Sequence, residues 1–202
     1  INLDANKLSD ITPLSKLTEL GHLSLGGTGI SDLSPIANLT KVNDLRIHNN
    51  QISDIRPLVN LTNLKQLHLY NNQINDLSPL VENSGLSGKI YLKHGNTKNS
   101  LNNTAYTIHI PALKARGITV EHNDIPSDII KMSNASFENS LRKVINIPTE
   151  TITVSNTSTI SDLNLVNTGV VDLDVEALKA FPKLKSITLT DNPLSKDAIL
   201  VQ

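Results

Sequence analysis

The sequence predicts an α/β solenoid, in which short parallel strands and helical turns alternate along one continuous coil. The first observation is a period of 22 residues, which separates Leu23 from Leu45 and Leu45 from Leu67. The second is a strict alternation inside each period, as in Leu67-His68-Leu69-Tyr70, which is the period of a strand. A fixed period of this length indicates stacked coils, each too small to bury its own apolar face.

The same step recurs at three other framework positions within residues 1–85. These are the prolines Pro13, Pro35, Pro57 and Pro79, the aspartates Asp10, Asp32, Asp54 and Asp76, and the isoleucines Ile30, Ile52 and Ile74. The unit reads L-x-x-L-x-L-x-x-N-x-I-x-D-L-x-P-L-x-x-L-x-x. We expect Leu67 and Leu69 to point inward, His68 and Tyr70 to point outward, and successive strands to lie about 4.8 Å apart.

Each strand is followed by a turn and then by a short helical return. A ladder of asparagine and threonine side chains is expected at the turn, where an amide can bond to the backbone of neighbouring coils. Its members are Asn6, Thr28, Asn50, Asn72, Thr168 and Asn192. Ser78-Pro79 begins a return with a helix-capping serine and a proline suited to the first helical position. Arg56-Pro57 lacks that serine and is expected to have the weakest cap.

The repeat unit resembles the leucine-rich repeat, and specifically the 22-residue kind found in bacterial surface proteins such as the internalins. The resemblance is strong over residues 1–85 and broken over 86–123 and 160–194. It implies a right-handed superhelix with a parallel concave β-sheet and short 3₁₀ or α turns on the convex side. It also implies a bacterial cell-surface or secreted protein used in adhesion or recognition.

The sequence divides into three regions. Residues 1–123 are expected to form a leucine-rich array with modified closing coils, in which one extra residue precedes the strand near Ile90. A helix is expected from Pro111, and Gly117 is expected to end it. Asn99-Ser100-Leu101 stands where an N-P-L turn closes many such arrays.

Residues 124–135 carry no repeat and are expected to be a linker or boundary. Residues 136–202 are expected to form a helical cap and the start of a second short array, with Phe137, Leu141, Val144 and Ile145 at helical spacing. The step in this array is 24 residues, from Ile160 to Leu184. A further helix is expected to start after Leu194. Because Ile1 lies partway through a repeat, we expect the chain to belong to a longer polypeptide.

Composition argues against several classes of function. Lys plus Arg is 18, Asp plus Glu is 19, and the net charge is -1, which disfavours binding to nucleic acid or to an anionic membrane surface. The chain has no cysteine and no apolar run of the ~20 residues that a membrane helix needs. It carries no recognisable catalytic, phosphate-binding or metal-ligand motif. We therefore expect no enzyme activity, no cofactor and no metal.

Candidate binding residues are the outward-facing ones on the strands, because the framework does not dictate their identity. They are His22, Asp44, Arg46, His48, Gln66, His68, Tyr70, Tyr91 and Lys93. Two of only three tyrosines fall in this set, and Tyr, Arg and His are residue types that anchor recognition sites. We expect a patch centred on Arg46, His48, His68 and Tyr70, with the two histidines diagonal to each other at about 7 Å.

These observations favour a non-catalytic module that recognises a protein or a glycan through its concave sheet. Two alternatives stay open. The chain could be a structural segment of a long extracellular array or filament, self-associating through its solenoid ends. It could also be an intracellular docking module that regulates an enzyme.

Overall fold

A computed structural model describes residues 1–95, 99, 101–124, 127–148 and 151–195. The chain forms two compact units. Unit 1 comprises Ile1–Ser100 and His109–Asp124, and unit 2 comprises Leu101–Ile108 and Ile125–Gln202. Unit 2 therefore includes a segment from within residues 1–123, where the sequence places the first array. No described helix is both long enough and apolar enough to cross a lipid bilayer.

Unit 1 is a leucine-rich solenoid whose parallel strands follow one another in chain order, as predicted. They are β1 (His22–Ser24), β2 (Asp44–Arg46), β3 (Gln66–His68), β4 (Lys89–Tyr91) and β5 (Thr119–Glu121). Leu23 pairs with Leu45, Leu45 with Leu67, and Leu67 with Ile90, so the 22-residue step holds up to the extra residue. All four side chains are fully buried. The alternation inside each repeat thus sets the register of the sheet.

The helical returns of unit 1 begin at the expected places but are capped differently from the prediction. Thr12–Lys16, Ser34–Ile36 and Arg56–Leu58 are 3₁₀ turns, and α1 spans Ser78–Glu82. No serine or threonine caps them through its side chain. Instead, the repeated aspartate two residues upstream accepts the first backbone N–H, as from Asp76 to Ser78 at 2.9 Å. The period of the aspartates has this physical cause.

The return at Arg56 is not deprived of a cap, contrary to the expectation. Its backbone N–H donates to Asp54 Oδ1 at 2.9 Å, which is the same bond that Asp32 accepts from Ser34 at 2.8 Å. The guanidinium also bonds to the Asp54 carboxylate, with Nε to Oδ2 at 2.9 Å. Because the aspartate provides the cap, the residue after it can vary.

The polar ladder connects neighbouring coils through their backbones. Asn72 Nδ2 donates to the carbonyls of Ile47 and Leu69 at 3.0 and 2.9 Å, and its Oδ1 accepts from the Ile52 N–H. Asn50 bonds back to the Leu25 carbonyl in the same way. Asn6 differs, because it lies in the first described coil: it is exposed and donates to carbonyls of its own turn.

The closing coils extend the ladder and accommodate the extra residue. Asn99, which the sequence places in a closing turn, is buried and donates to the Leu69 carbonyl at 3.0 Å; its neighbour Ser100 lies outside the described residues. The extra residue is absorbed at Gly88, whose φ is +73°. A Cβ there would lie 2.2 Å from the Lys65 carbonyl oxygen, so glycine is required for both conformation and space.

The helix expected from Pro111 begins earlier than predicted. A π-helical turn, Ala105–His109, precedes α2, which spans Ile110–Ala115. Gly117 follows α2 with a φ of +82°, in agreement with the predicted helix end. Arg116 then donates to backbone carbonyls at the end of α1, including that of Asn83 at 2.7 Å. This cation stabilises carbonyls that α1 leaves without helical partners.

Unit 2 contains α3 (Ala135–Ile145), β6 (Asp162–Asn164), α4 (Val175–Lys179) and β7 (Ser186–Thr188). The predicted amphipathic helix is confirmed, with Phe137 and Leu141 fully buried, whereas Val144 is 37% exposed and does not join the core. β6 pairs with β7 in parallel at the predicted 24-residue step. The segment 124–135, expected as a linker or boundary, contributes Ile130 and Met132 to the same core. The helix expected after Leu194 falls outside the described residues.

A buried ion pair lies inside unit 2. Glu138 is 1% exposed and Arg142 6%, and their side chains meet one helical turn apart, with Arg142 Nη2 2.7 Å from Glu138 Oε1. The Glu138 carboxylate also accepts from the backbone N–H groups of Asn103 and Thr104, each at 2.8 Å. Through these bonds the segment Leu101–Ile108 is held to α3 within the unit.

Candidate functional site on the concave face

The outward residues of the unit 1 strands form columns across one surface, called the concave face here. The first column runs Ser24, Arg46, His68, Tyr91 and Glu121, and the second runs His22, Asp44, Gln66, Lys89 and Thr119. A third column, just past the strand ends, contains Asp4, Gly26, His48 and Tyr70, and backbone hydrogen bonds join its neighbouring coils. The candidate residues from neighbouring coils therefore lie side by side.

Aromatic rings on this face stack on one another along the solenoid. Tyr70 stacks on His48 with ring centroids 4.6 Å apart and on His94 with centroids 5.1 Å apart. In the neighbouring column His68 stacks on Tyr91 at 4.1 Å, with an angle of 12° between the rings. His48 and His68, expected about 7 Å apart, have centroids 6.3 Å apart. The two His–Tyr stacks, His48–Tyr70–His94 and His68–Tyr91, thus form one continuous patch.

Two ion-paired groups flank the stacks. Asp44 bonds to Arg46, with Oδ2 2.9 Å from Nη2, and to His22, with Oδ2 3.0 Å from Nδ1. Lys89 pairs with Glu121, and its Nζ lies 4.6 Å from the centre of the Tyr91 ring. Each cation is thus oriented by a carboxylate, while part of its side chain stays exposed. The patch can offer both charged and neutral hydrogen-bonding groups to a ligand.

Burial within the patch changes the acidity of its aromatic side chains. Burial lowers the pKa of His48 and of His68, and the nearby Arg46 guanidinium lowers both further. Burial also raises the pKa of Tyr70. Burial alone would raise the pKa of Asp44, but its hydrogen bonds and charge pairing with Arg46 and His22 bring that pKa below the ordinary value. At neutral pH the two histidines are therefore uncharged and Asp44 is ionised.

Gly26 provides the space in which the His48 ring lies. A Cβ at this position would come within 2.5 Å of His48 Cε1 and 2.6 Å of its Nε2, closer than real carbon atoms approach. The glycine is thus a determinant of the patch, although it contributes no side chain to it.

Substituting Gly26 with alanine is expected to move the His48 ring off Tyr70 and to change the chemical shifts of the Tyr70 ring protons. The loss of stability should stay near the ~0.5–1.5 kcal/mol of one aromatic pair. Gly21→Ala is the matched control, because a Cβ there meets its nearest atom at an ordinary 3.6 Å. NMR spectra of both variants test this. Unchanged Tyr70 shifts in the Gly26 variant would contradict the role assigned to the glycine.

Most of the candidate residues meet in this patch, and some of its members were not anticipated. Gln66 lies in the second column between Asp44 and Lys89 and is exposed, and Lys93 is half-buried two residues after Tyr91. His94, rather than Lys93, stacks on Tyr70. Lys89 was missed because the column was not extended across the extra residue; the shift from Leu67 to Ile90 carries Gln66 onto Lys89 and would have revealed it. Glu121 follows by the same register.

Among the described residues, no three His, Asp or Glu side chains are close enough together to hold a metal ion. The patch is also an open surface of small side-chain groups, where water can reach any reacting atom. Its chemistry is therefore that of non-covalent recognition.

Comparison with known proteins agrees with this fold. Residues 40–82 match the family model of leucine-rich repeats, in two copies. The fold is similar to that of internalin C2 of Listeria monocytogenes, with 24% identity and a TM-score of 0.49 over 96% of this chain and 62% of that one. A second internalin of the same bacterium, InlF, has 22% identity and a TM-score of 0.49 over 97% and 62%. A leucine-rich-repeat protein of Leptospira interrogans has 18% identity and a TM-score of 0.48 over 93% and 41%. Curated protein sequences give no match.

The repeats, the parallel sheet and the family match define the chain as a leucine-rich-repeat protein. The predicted resemblance to bacterial internalins is confirmed at the level of the fold. The chain spans 62% of the length of each of those two internalin structures. Leucine-rich-repeat domains are typically protein-binding scaffolds without catalytic activity, and the concave face is where this chain concentrates its distinctive side chains.

Proposed function

We propose that unit 1 recognises a protein ligand through its concave face, with the two His–Tyr stacks at the centre of the contact. The observation that carries the proposal is the concentration of Tyr70, Tyr91, His48, His68 and Arg46 on one surface of a chain that is only 2% aromatic. Rigid aromatic side chains and arginine supply most of the binding energy in protein interfaces. We further propose that the protein acts at a bacterial surface or after secretion, in adhesion or recognition.

The arrangement of the rings favours a protein over a glycan. A sugar stacks its C–H groups on an open ring face, but both faces of Tyr70 are covered, by His48 and His94. One face of Tyr91 is covered by His68, and Lys89 lies over the same ring. The rings instead direct their edges, with the tyrosine hydroxyls, at the hollow. Ring edges and hydroxyls match the mixed polar and apolar surface of a folded protein.

The proposal is tested by capture with the immobilised chain and with a His68→Ala/Tyr70→Ala variant. Both side chains are partly exposed, so the variant should retain its fold. Proteins that bind the wild-type chain are purified and their affinities measured. Removing one hot-spot side chain costs at least ~2 kcal/mol, which is about a 30-fold loss of affinity. We expect a loss of that size or larger for the double variant.

An Arg56→Ala/Lys41→Ala variant is the matched control, since both side chains are exposed on turns away from the concave columns and belong to surface ion pairs. Such pairs contribute little to stability. A ligand whose affinity falls only in the concave variant supports the proposal. Equal affinity of every captured protein for the wild-type and concave variants would refute it.

A further inference from the structure

Histidines are concentrated on the concave face of unit 1. Of the six in the chain, His22, His48, His68 and His94 belong to the ion-paired or stacked groups of this surface. Histidine is the side chain whose charge changes between pH 5 and 8. The surface therefore has a different charge in a mildly acidic environment from the one it has at neutral pH.

His48 and His68 each contain one ring nitrogen that cannot accept a proton without cost. Nδ1 of His48 and Nε2 of His68 are buried and have no hydrogen-bond partner among the described residues. In a neutral imidazole such a nitrogen can carry the lone pair, while the other nitrogen carries the hydrogen. Protonation would place an N–H at the buried position, where nothing accepts it, and a buried donor without a partner is strongly disfavoured.

The charges around the pair are mixed. The Arg46 guanidinium opposes a positive charge on either ring, and His48 and His94 oppose one on His68 and His48 respectively. Asp4 favours charge on His48, and Asp44 and Glu121 favour charge on His68. These carboxylates are already engaged, Asp4 by Ser24 and the Gly26 N–H, Asp44 by Arg46, and Glu121 by Lys89. Tyr70 and Tyr91 complete the surroundings as neutral rings.

We propose that the two His–Tyr stacks are a pH-sensitive switch of the recognition surface. They are closed at neutral pH and open when His48 and His68 are protonated, which frees the rings of Tyr70 and Tyr91. An imidazolium gains some attraction from a tyrosine face, but it regains its hydration and escapes Arg46 only by rotating out of the stack. The switch rests on the proposed function, because it regulates the same surface.

The direction of the effect follows from the acidity of the two rings. Burial lowers the pKa of both in the folded chain, so the unfolded chain binds protons first, near its ordinary value of about 6.5. The contribution of the closed stacks to stability is complete above about pH 6.5. It is lost as the pH falls from there through the lower pKa of the folded state.

The test is NMR of the whole chain with labelled histidine and tyrosine rings, recorded from pH 7.5 to 5.0. Cross-peaks between the rings of His48 and Tyr70, and between those of His68 and Tyr91, are expected at pH 7.5. Both sets should disappear at pH 5.0, with midpoints below 6.5 that coincide with protonation of the imidazoles. Methyl cross-peaks between Leu23 and Leu45 should persist throughout, which separates opening of the stacks from unfolding.

In a His48→Gln/His68→Gln variant, the ring shifts of Tyr70 and Tyr91 should no longer depend on pH. His122→Gln, outside the stacks, should keep the wild-type response. The proposal is overturned if the stacks persist at pH 5.0, if either imidazole titrates at or above 6.5 or stays neutral at 5.0, or if the double variant still responds. Loss of the leucine cross-peaks together with the stacks would also overturn it. Because no ligand is involved, failure here leaves the capture experiment to decide the proposed function separately.

Discussion

Replacing Glu138 with alanine is expected to destabilise unit 2 by about 3–5 kcal/mol, the usual cost of breaking a buried ion pair by removing one partner. Arg142, only 6% exposed, would lose its carboxylate. The backbone N–H groups of Asn103 and Thr104 would lose their acceptor at the same time. Urea denaturation followed by circular dichroism, with hydrogen exchange on residues 135–145, measures the effect.

Glu176→Ala is the matched control for this prediction. Glu176 also pairs with a cation on its own helix, Lys179 at 2.6 Å, but its side chain is 80% exposed. An exposed pair of this kind contributes about 0.5 kcal/mol or less. Equal losses for Glu138→Ala and Glu176→Ala would show that burial does not amplify the pair in this unit. Glu138→Gln, which keeps the shape and one acceptor oxygen, should fall between the two.

Replacing Leu67 with alanine should cost unit 1 about 2–5 kcal/mol, the range for deleting a fully buried leucine and leaving a cavity. Leu67 is 0% exposed and lies on the middle strand, paired with Leu45 on one side and Ile90 on the other. Because each coil depends on its neighbours, we expect protection to be lost across β1 to β5 together. Hydrogen exchange resolved by mass spectrometry follows each strand.

Gln66→Ala, at the preceding and exposed position of the same strand, is the control, with an expected change within about 0.5 kcal/mol. A denaturation midpoint that Leu67→Ala leaves in place would contradict the burial and the register. Exchange that increased only in β3 would show that the coils open independently, which would contradict the cooperative behaviour expected of a solenoid.

Sequence reasoning succeeded where position follows from a local period. The spacing of Leu23, Leu45 and Leu67 was enough to predict the strands, their order and their register, because each coil buries its leucines only against the next. It went wrong at the caps. Ser78 looks like a helix cap by residue type, but Asp76 takes the role, and the repeated aspartate was visible without an assigned purpose.

The candidate site was predicted as a set of positions rather than as a structure. The columns placed His48 beside Tyr70, yet neither the stacking of their rings nor the place of His94 could be derived from alternation. Ring orientation depends on what fills the neighbouring space, such as the missing Cβ at Gly26. The buried pair of Glu138 and Arg142 was also missed, since two charged residues one helical turn apart ordinarily face solvent.

By itself, the sequence determined the repeat, the solenoid and which side chains line its concave face, because these depend on contacts at one fixed chain separation. Only the tertiary structure decided which of those side chains touch, which nitrogens lose access to water and which charges are buried. Such properties arise from the packing of groups at many different chain separations, which no periodic pattern encodes. The joining of residues 101–108 to α3 through Glu138 is the clearest case, since it links parts of the chain 34 and 35 residues apart.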